Sequence, residues 1–115
     1  MEIITASVRK NIPEAVNPRI KSLNYLNNIL AKIEANTAGV IEAIMLDKDG
    51  YVTECTADNI FIVRDGGLIT APLYIGVLDG ITRKTVLEIA GELNIPFEER
   101  LFTNYDIYTA EECFL

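Results

Sequence analysis

A series of short β-like runs separated by glycine-containing turns most constrains what this 115-residue chain can fold into. Asp49-Gly50 is a strong hairpin signal, and Asp65-Gly66-Gly67 marks a second turn. The runs around these turns are rich in branched and aromatic residues, which favours strands. The predicted strands are 41–46, 51–55, 59–63 and 68–70. The middle of the chain is therefore predicted to form a small sheet built from hairpins.

Two segments with helical periodicity flank this sheet. The first is predicted to run from about residue 22 to residue 36 and to stop at Gly39. The second opens at 80–83 and ends near Asn94 and Pro96. The residues predicted to face the core are Leu23, Leu26, Leu30 and Ile33 on the first helix and Val86, Ile89, Ala90 and Leu93 on the second.

The outer parts of the chain complete a mixed pattern. Further strands are predicted at 2–9, 97–102 and 113–115, and a short helical turn is predicted at 105–110. Loops are predicted at 11–19 and around Pro72 and Gly76, where proline, asparagine and glycine interrupt the periodic segments. A chain of this length forms one ordinary domain, so the sequence predicts a single α/β (α+β) unit.

Charge and residue usage exclude several classes of function. The chain has 10 basic and 17 acidic residues and a net charge of −7, so it should repel phosphate backbones and not bind nucleic acid. It contains no histidine, the commonest general base and zinc ligand. Cys55 and Cys113 form no metal-binding spacing, which favours reduced thiols in a cytoplasmic protein. No apolar run approaches the ~18 residues of a membrane span.

Three local features could carry chemistry, and each has an ordinary alternative. Lys21 is predicted to precede a helix directly, where the positive end of the dipole would favour a neutral, nucleophilic amine. The ordinary alternative, which position alone favours, is a solvated surface lysine. Gly80-Ile81-Thr82 opens a helix whose free N–H groups suit a phosphate, or it is a simple helix start. Glu54 is an acid within an apolar strand, or a solvent-facing carboxylate.

Together with their neighbours, these residues resemble the class IV aminotransferases, the pyridoxal-phosphate enzymes of fold type IV. The resemblance rests on four blocks in the same order and at similar spacing, at 20–26, 49–54, 59–61 and 78–83. It extends essentially from end to end, and the residues around Tyr25 are most similar to prokaryotic branched-chain aminotransferases. It implies a curled, mostly antiparallel sheet with two main helices, which is the large domain of that fold.

The resemblance implies roles for the residues nearest the reacting part of the cofactor. Lys21 matches the lysine that forms the internal Schiff base and carries the substrate's α-proton. Glu54 matches the acid that pairs with the pyridine nitrogen, and Tyr25 matches a tyrosine near the phenolic oxygen. These roles agree with the need for an electron sink whose ring nitrogen is protonated.

The remaining implied contacts hold the cofactor in place. Leu78 matches an apolar residue packed on a face of the ring. Ile81 and Thr82 match the phosphate cup at a helix start, where a dianion is favoured. The substrates implied are a branched-chain amino acid and 2-oxoglutarate, in an enzyme that is a homo-oligomer.

The resemblance covers only part of such an enzyme. Residues 1–115 correspond to part of the large domain, without the small N-terminal domain and without the turn expected after Leu115. The chain alone is therefore expected to be inactive. D-amino-acid aminotransferase and aminodeoxychorismate lyase, which share the fold, stay open as alternatives, and so does a non-catalytic remnant or interaction module.

Overall fold

A computed structural model describes the backbone of residues 1–115 and every side chain except that of residue 19. In chain order the elements are β1 Ile4–Thr5, α1 Leu26–Thr37, β2 Ala43–Leu46, β3 Val52–Cys55, β4 Phe61–Arg64, β5 Gly67–Thr70, α2 Ile81–Glu92, β6 Phe97–Glu99, α3 Asn104–Tyr108 and β7 Glu112–Phe114. Short 3-10 turns lie at Pro18–Ile20 and Leu73–Ile75. The predicted mixed α/β class with two main helices is confirmed.

The strands form two sheets, in which antiparallel pairs predominate. One sheet has the order β1-β2-β3 and the other the order β6-β5-β4-β7. The pairs β2–β3, β4–β5 and β4–β7 are antiparallel, whereas β1–β2 and β5–β6 are parallel. Both turns predicted from glycine connect antiparallel neighbours, and Gly50 and Gly66 adopt positive φ angles of 91° and 73°. Glycine adopts such angles without steric cost.

The first sheet has buried side chains on both of its faces. Alternate residues of β2 point in opposite directions, as the pleat requires. Ala43 and Met45 pack with Ala31 and Ala35 of α1. The main core lies on the other face and is formed by Ile44, Leu46, Val52, Cys55, Ile60, Ile62, Ile69, Ala71, Val77 and Phe102. The first sheet thus separates α1 from the core that it shares with the second sheet.

The predicted core face of α1 is wrong, and the helix begins at Leu26 instead of residue 22. The four predicted core residues are exposed; Leu23 and Leu26 retain 95% and 63% of their accessible surface. The buried positions are Ala31 and Ala35, which let the helix approach the sheet closely. The bulky apolar residues of α1 therefore lie on its outer side.

On α2 the predicted and observed buried residues also differ, but less than on α1. Its buried residues are Arg83 and Ala90, so the prediction for Ala90 is confirmed. Ile89 and Leu93 are exposed, at 48% and 64%, which contradicts their prediction as core residues. No helix in the described part of the chain combines the length and apolar character needed to cross a membrane.

The N-terminal strand is much shorter than the predicted 2–9. After β1, the Lys10 N–H donates to the Leu46 carbonyl at 2.8 Å, so the chain still follows β2. The Ser7 N–H instead donates to Glu34 of α1 at 2.7 Å, and the Asn11 N–H donates to Asn27 at 3.0 Å. Side chains of α1 thus replace the missing ladder and fix the segment that leads into the site.

Candidate functional site

A cavity of about 80 Å³ brings together most of the predicted site residues. It lies between the segment that leads from Lys10 into α1 and the residues at the end of β3. Lys21, Tyr25, Glu54 and Leu78 all contribute to its wall. Residues that are distant in sequence therefore meet at one place, where a lysine, a phenol, a carboxylate and an apolar side chain line the same space.

Glu54 is the buried acid of this cavity. It lies opposite Met45 in the antiparallel ladder, so it projects from the sheet face that α1 covers. Its Oε1 accepts a hydrogen bond from Lys10 Nζ at 2.5 Å, and its Oε2 accepts one from the Leu78 N–H at 2.9 Å. A carboxylate offers about four acceptor positions, so these contacts leave capacity for another donor. With an exposure of 6%, Glu54 is not a solvent-facing carboxylate.

Lys10 is a cavity residue that the sequence did not reveal. No motif in the sequence distinguishes Lys10 from a surface lysine, but it is only 5% exposed. Its ammonium group contacts Glu54 and also donates to Asn28 Oδ1 at 3.1 Å. Asn28 in turn donates from Nδ2 to the Thr56 carbonyl at 2.8 Å. The buried cation is therefore held by α1 on one side and by β3 on the other.

Lys21 is exposed and lies on an unusual backbone conformation. Its φ angle is 52°, in the left-handed region that residues other than glycine seldom adopt. Its N–H donates to the Pro18 carbonyl at 2.9 Å, which closes the 3-10 turn before it. The helix-dipole argument for Lys21 is wrong, because α1 begins five residues later and the dipole acts only within about the first turn. Lys21 is placed at the cavity by a strained turn.

Tyr25 and Leu78 border the cavity from different elements. Tyr25 is the N-cap residue of α1, and its carbonyl accepts the first helical hydrogen bond, from the Ile29 N–H at 2.8 Å. Leu78 precedes α2 and is half-buried. The backbone of Leu78 anchors Glu54, as described above, while its carbonyl accepts a hydrogen bond from Asn59 Nδ2 at 3.3 Å. Leu78 thus combines an apolar side chain with a polar backbone contact.

Ile81 and Thr82 are not among the described residues that line the cavity. They lie in the first turn of α2, where both side chains are exposed. Gly80 is the N-cap and supplies no side-chain hydrogen bond to this turn. A Cβ atom at Gly80 would lie 3.0 Å from Asn59 Oδ1, so a larger residue would displace the neighbouring cavity wall. The uncapped helix start is therefore adjacent to the cavity but separate from it.

A second buried carboxylate, Glu42, supports the loop after β3. Its Oε1 accepts hydrogen bonds from the Thr56 hydroxyl and from the Ala43 N–H, and its Oε2 accepts one from the Ala57 N–H at 3.0 Å. Burial by itself would raise the pKa of Glu42, but these hydrogen bonds and the nearby Lys32 outweigh burial and lower the pKa. Thr56 and Ala57 line the cavity, so Glu42 fixes part of its wall.

Thiol and metal chemistry have little support in this structure. Cys55 and Cys113 are both free, and Cys55 lines the cavity. Burial raises the pKa of the Cys55 thiol, which disfavours the reactive thiolate. The described residues include no group of three acidic or sulfur side chains placed to hold a metal ion. The carboxylate, amine and phenol are therefore the chemically useful groups of the cavity.

Similarity to known proteins identifies the family. All of residues 1–115 match the family described as Amino-transferase class IV. A protein of Methanocaldococcus jannaschii assigned as a branched-chain-amino-acid aminotransferase is 53% identical over 97% of this chain and 39% of its own length. The crystal structure of branched-chain aminotransferase from Thermoproteus uzoniensis with norvaline superimposes with a TM-score of 0.95 at 44% identity, over 98% of this chain and 38% of that one.

A second solved structure agrees with the first. It is branched-chain amino acid aminotransferase from Thermobaculum terrenum in its PLP form, with a TM-score of 0.94 and 39% identity, over 99% of this chain and 38% of that one. The chain thus spans about two fifths of the length of these relatives. Because the family match includes every residue, the chain belongs to the class IV aminotransferases.

Proposed function

We propose that this chain is part of the cofactor-binding large domain of a branched-chain amino acid aminotransferase. The reaction is the transfer of an amino group from leucine, isoleucine or valine to 2-oxoglutarate, and the complete enzyme is a homo-oligomer. The observation that carries the proposal is the convergence of Lys21, Tyr25, Glu54 and Leu78 on one cavity. The relatives that cover this chain at up to 53% identity support the choice of substrate class.

The chain offers groups that fit pyridoxal phosphate. Glu54 is a buried carboxylate with unused acceptor positions beside the cavity, which suits a protonated ring nitrogen. The half-buried Leu78 suits the apolar face of the ring. The uncapped first turn of α2 suits a phosphate dianion, because its N–H groups lack a side-chain acceptor. When bound, the cofactor supplies an electron sink for a carbanion at the amino acid Cα.

Lys21 supplies the reactive amine in this proposal. It lines the cavity and is exposed, so its amine would hold the cofactor by condensing with the aldehyde, with loss of water, and its Nζ would later carry a proton. Lys10 lines the same cavity, but its ammonium group is engaged by Glu54 and Asn28. Of the two lysines, Lys21 is therefore available for bond formation and Lys10 is not.

The other cavity residues bind and orient. The Tyr25 hydroxyl would donate to the phenolic oxygen of the cofactor, and Ile81 and Thr82 would hold its phosphate through their backbone N–H groups and the threonine hydroxyl. The cavity of about 80 Å³ is smaller than the roughly 300 Å³ at which ligand pockets begin. The rest of the enzyme would complete its walls and exclude water, so this chain alone would bind cofactor weakly and remain inactive.

Borohydride reduction tests the proposal directly. The complete enzyme is incubated with pyridoxal phosphate, reduced and digested, and the modified peptide is identified by mass spectrometry. We expect the modification at Lys21, and Lys21→Ala should remove both the modification and transamination of leucine with 2-oxoglutarate. Lys48→Ala is the matched control, because Lys48 is an exposed lysine in the turn between β2 and β3 and does not line the cavity. Modification of another lysine, or turnover of only D-amino acids, would contradict the proposal.

A further inference from the structure

The buried lysine of the cavity, Lys10, is not among the site residues predicted from the sequence. Lys10 is as inaccessible as a core residue, with only 3% of its side chain exposed. Its carboxylate partner, Glu54, has 8% of its side chain exposed, so both charges of this ion pair are removed from water. Such a pair is costly to desolvate, and its loss on one side leaves an uncompensated buried charge. A hydrophobic residue of similar volume would fill the same space without that cost.

The contacts of Lys10 act on the orientation of Glu54. Lys10 Nζ occupies Oε1, and the Leu78 N–H occupies Oε2 from a different segment. Two donors at the two oxygens fix the plane of the carboxylate. Asn28 holds Lys10 in place from α1. The acceptor positions that remain on Glu54 are therefore presented in a fixed direction.

We propose that Lys10 is a positioning residue for Glu54: its ammonium group compensates the buried negative charge and aims the carboxylate, so that the cofactor's ring nitrogen retains its proton. This inference rests on the proposed function. Without Lys10, the buried Glu54 carboxylate would lose its compensating charge and one of the two donors that fix its plane. It would then be a poorer partner for the ring-nitrogen proton, and the ring would be a poorer electron sink.

Other charged or titratable groups line the cavity but do not make this contact. They are Lys21, Tyr25, Cys55 and Asp58. Among the described side chains, the hydrogen bonds and ion pairs of the Glu54 carboxylate involve Lys10 and the Leu78 backbone. The cation that acts on this carboxylate by direct contact is therefore Lys10.

The test follows the ring nitrogen itself. The complete enzyme is loaded with pyridoxal phosphate labelled with ¹⁵N in the ring, and the nitrogen chemical shift and the cofactor Kd are measured at pH 7. The unmodified protein should show a protonated ring nitrogen. Lys10→Met should move the shift toward the unprotonated value and raise Kd by about ten- to a hundredfold, the range for losing a charge-assisted contact. Lys10→Arg, which keeps the charge, should restore most of both values.

Lys32→Met is the matched control. Lys32 also pairs with a buried carboxylate, Glu42, at 3.5 Å, but 42% of its side chain is exposed and it lies outside the cavity. This variant should leave the nitrogen shift and Kd unchanged. A protonated ring nitrogen in Lys10→Met, or an equal change in Lys32→Met, would overturn the inference. If the unmodified protein bound no cofactor, the proposed function would fail instead.

A double variant keeps the inference testable if Lys10→Met folds poorly. Lys10→Met combined with Glu54→Gln removes both charges, which avoids an unpaired buried ion. If Lys10 acts through Glu54, the nitrogen shift and Kd of this double variant should equal those of Glu54→Gln alone. A further tenfold rise in Kd over Glu54→Gln would show that Lys10 acts by another route and would overturn the inference.

Discussion

Two buried carboxylates, one on β3 and one just before its neighbour β2, have different surroundings. Glu42, just before β2, is 2% exposed, and Glu54, within β3, is 6% exposed. Glu42 accepts hydrogen bonds from Thr56, Ala57 and Ala43, and its ion-pair partner is the partly exposed Lys32. Glu54 accepts two hydrogen bonds, and one of them comes from an equally buried lysine.

The difference shows how a structural carboxylate can be separated from a candidate functional one. Three hydrogen bonds and an ion pair fill the acceptor positions of Glu42, so its carboxylate serves to hold the loop after β3. Glu54 retains acceptor capacity and borders a cavity. Burial is nearly the same in both cases, so the unused acceptor positions and the adjoining space distinguish the two residues.

The largest expected difference is in catalysis by the complete enzyme. Glu54→Gln keeps the shape of the side chain but removes the charge, and turnover should fall by about 10²–10³, the range for losing one electrostatic contact in the transition state. Glu42→Gln should leave kcat per folded molecule nearly unchanged, because Glu42 does not line the cavity. The measurement is the rate of glutamate formation from leucine and 2-oxoglutarate, corrected for the folded fraction.

The same two variants can also contradict this distinction between Glu42 and Glu54. Similar losses of kcat in both would mean that Glu42 affects the reaction by positioning Thr56 and Ala57. An unchanged kcat in Glu54→Gln, with only a lower melting temperature, would make Glu54 a structural carboxylate like Glu42.

The second prediction concerns acid stability. The pKa of folded Glu42 lies below its ordinary value of 4.5, so the folded state favours the carboxylate form. Its stabilising effect is therefore complete above pH 4.5 and is lost as the pH falls through the lower, folded pKa. Glu42→Gln lacks this pH-dependent stabilisation and should be about 1–3 kcal/mol less stable at neutral pH, the cost of disrupting buried hydrogen bonds.

Thermal melting across a pH series measures this effect. The gap in melting temperature between the unmodified protein and Glu42→Gln should be widest at neutral pH and should shrink below pH 4.5. Glu34→Gln is a useful reference, because the pKa of Glu34 is also lowered, first by the Ser7 N–H and then by the Ser7 hydroxyl, although Glu34 is more accessible. A gap that widened on acidification would contradict the assignment of Glu42.

The turns, the elements and the four blocks of resemblance could be predicted from local sequence. Asp49-Gly50 connects β2 to β3, where Gly50 adopts a positive φ angle. Gly80 precedes α2, where a Cβ atom would lie too close to Asn59. The ion pair between Lys10 and Glu54 could not be predicted, because 44 residues separate the partners. Only the fold, through the ladder that places Glu54 opposite Met45, brings the acid to the side of the sheet where Lys10 lies.

The face of α1 was mispredicted for a related reason. A periodic row of large apolar residues usually marks the buried side of a helix. Here the inward side carries Ala31 and Ala35 for close packing, and Asn27, Asn28 and Glu34 for hydrogen bonds to the segment before the site. Polar residues interleaved with alanines gave the inward side a weak hydrophobic signal, although its contacts determine the geometry of the cavity.

The smallest expected effect belongs to Asn28, which connects the surroundings of the two carboxylates. Its Oδ1 accepts from Lys10, the partner of Glu54, and its Nδ2 donates to the carbonyl of Thr56, whose hydroxyl binds Glu42. Asn28→Ala should lose about 1–2 kcal/mol, because two hydrogen bonds disappear while helix propensity improves. Cofactor Kd should rise by less than about tenfold, below the range expected for Lys10→Met, since the ammonium group stays in contact with Glu54.

Asn36→Ala provides the matched control for this change. Asn36 lies on the same helix with an exposed side chain, so the substitution should be neutral or slightly stabilising. The two variants are compared by chemical denaturation and by cofactor titration of the complete enzyme. A Kd for Asn28→Ala as high as that of Lys10→Met would mean that α1 alone fixes the buried lysine. An unchanged stability would instead mean that Glu54 holds Lys10 without help from the helix, and that the surroundings of the two carboxylates are independent.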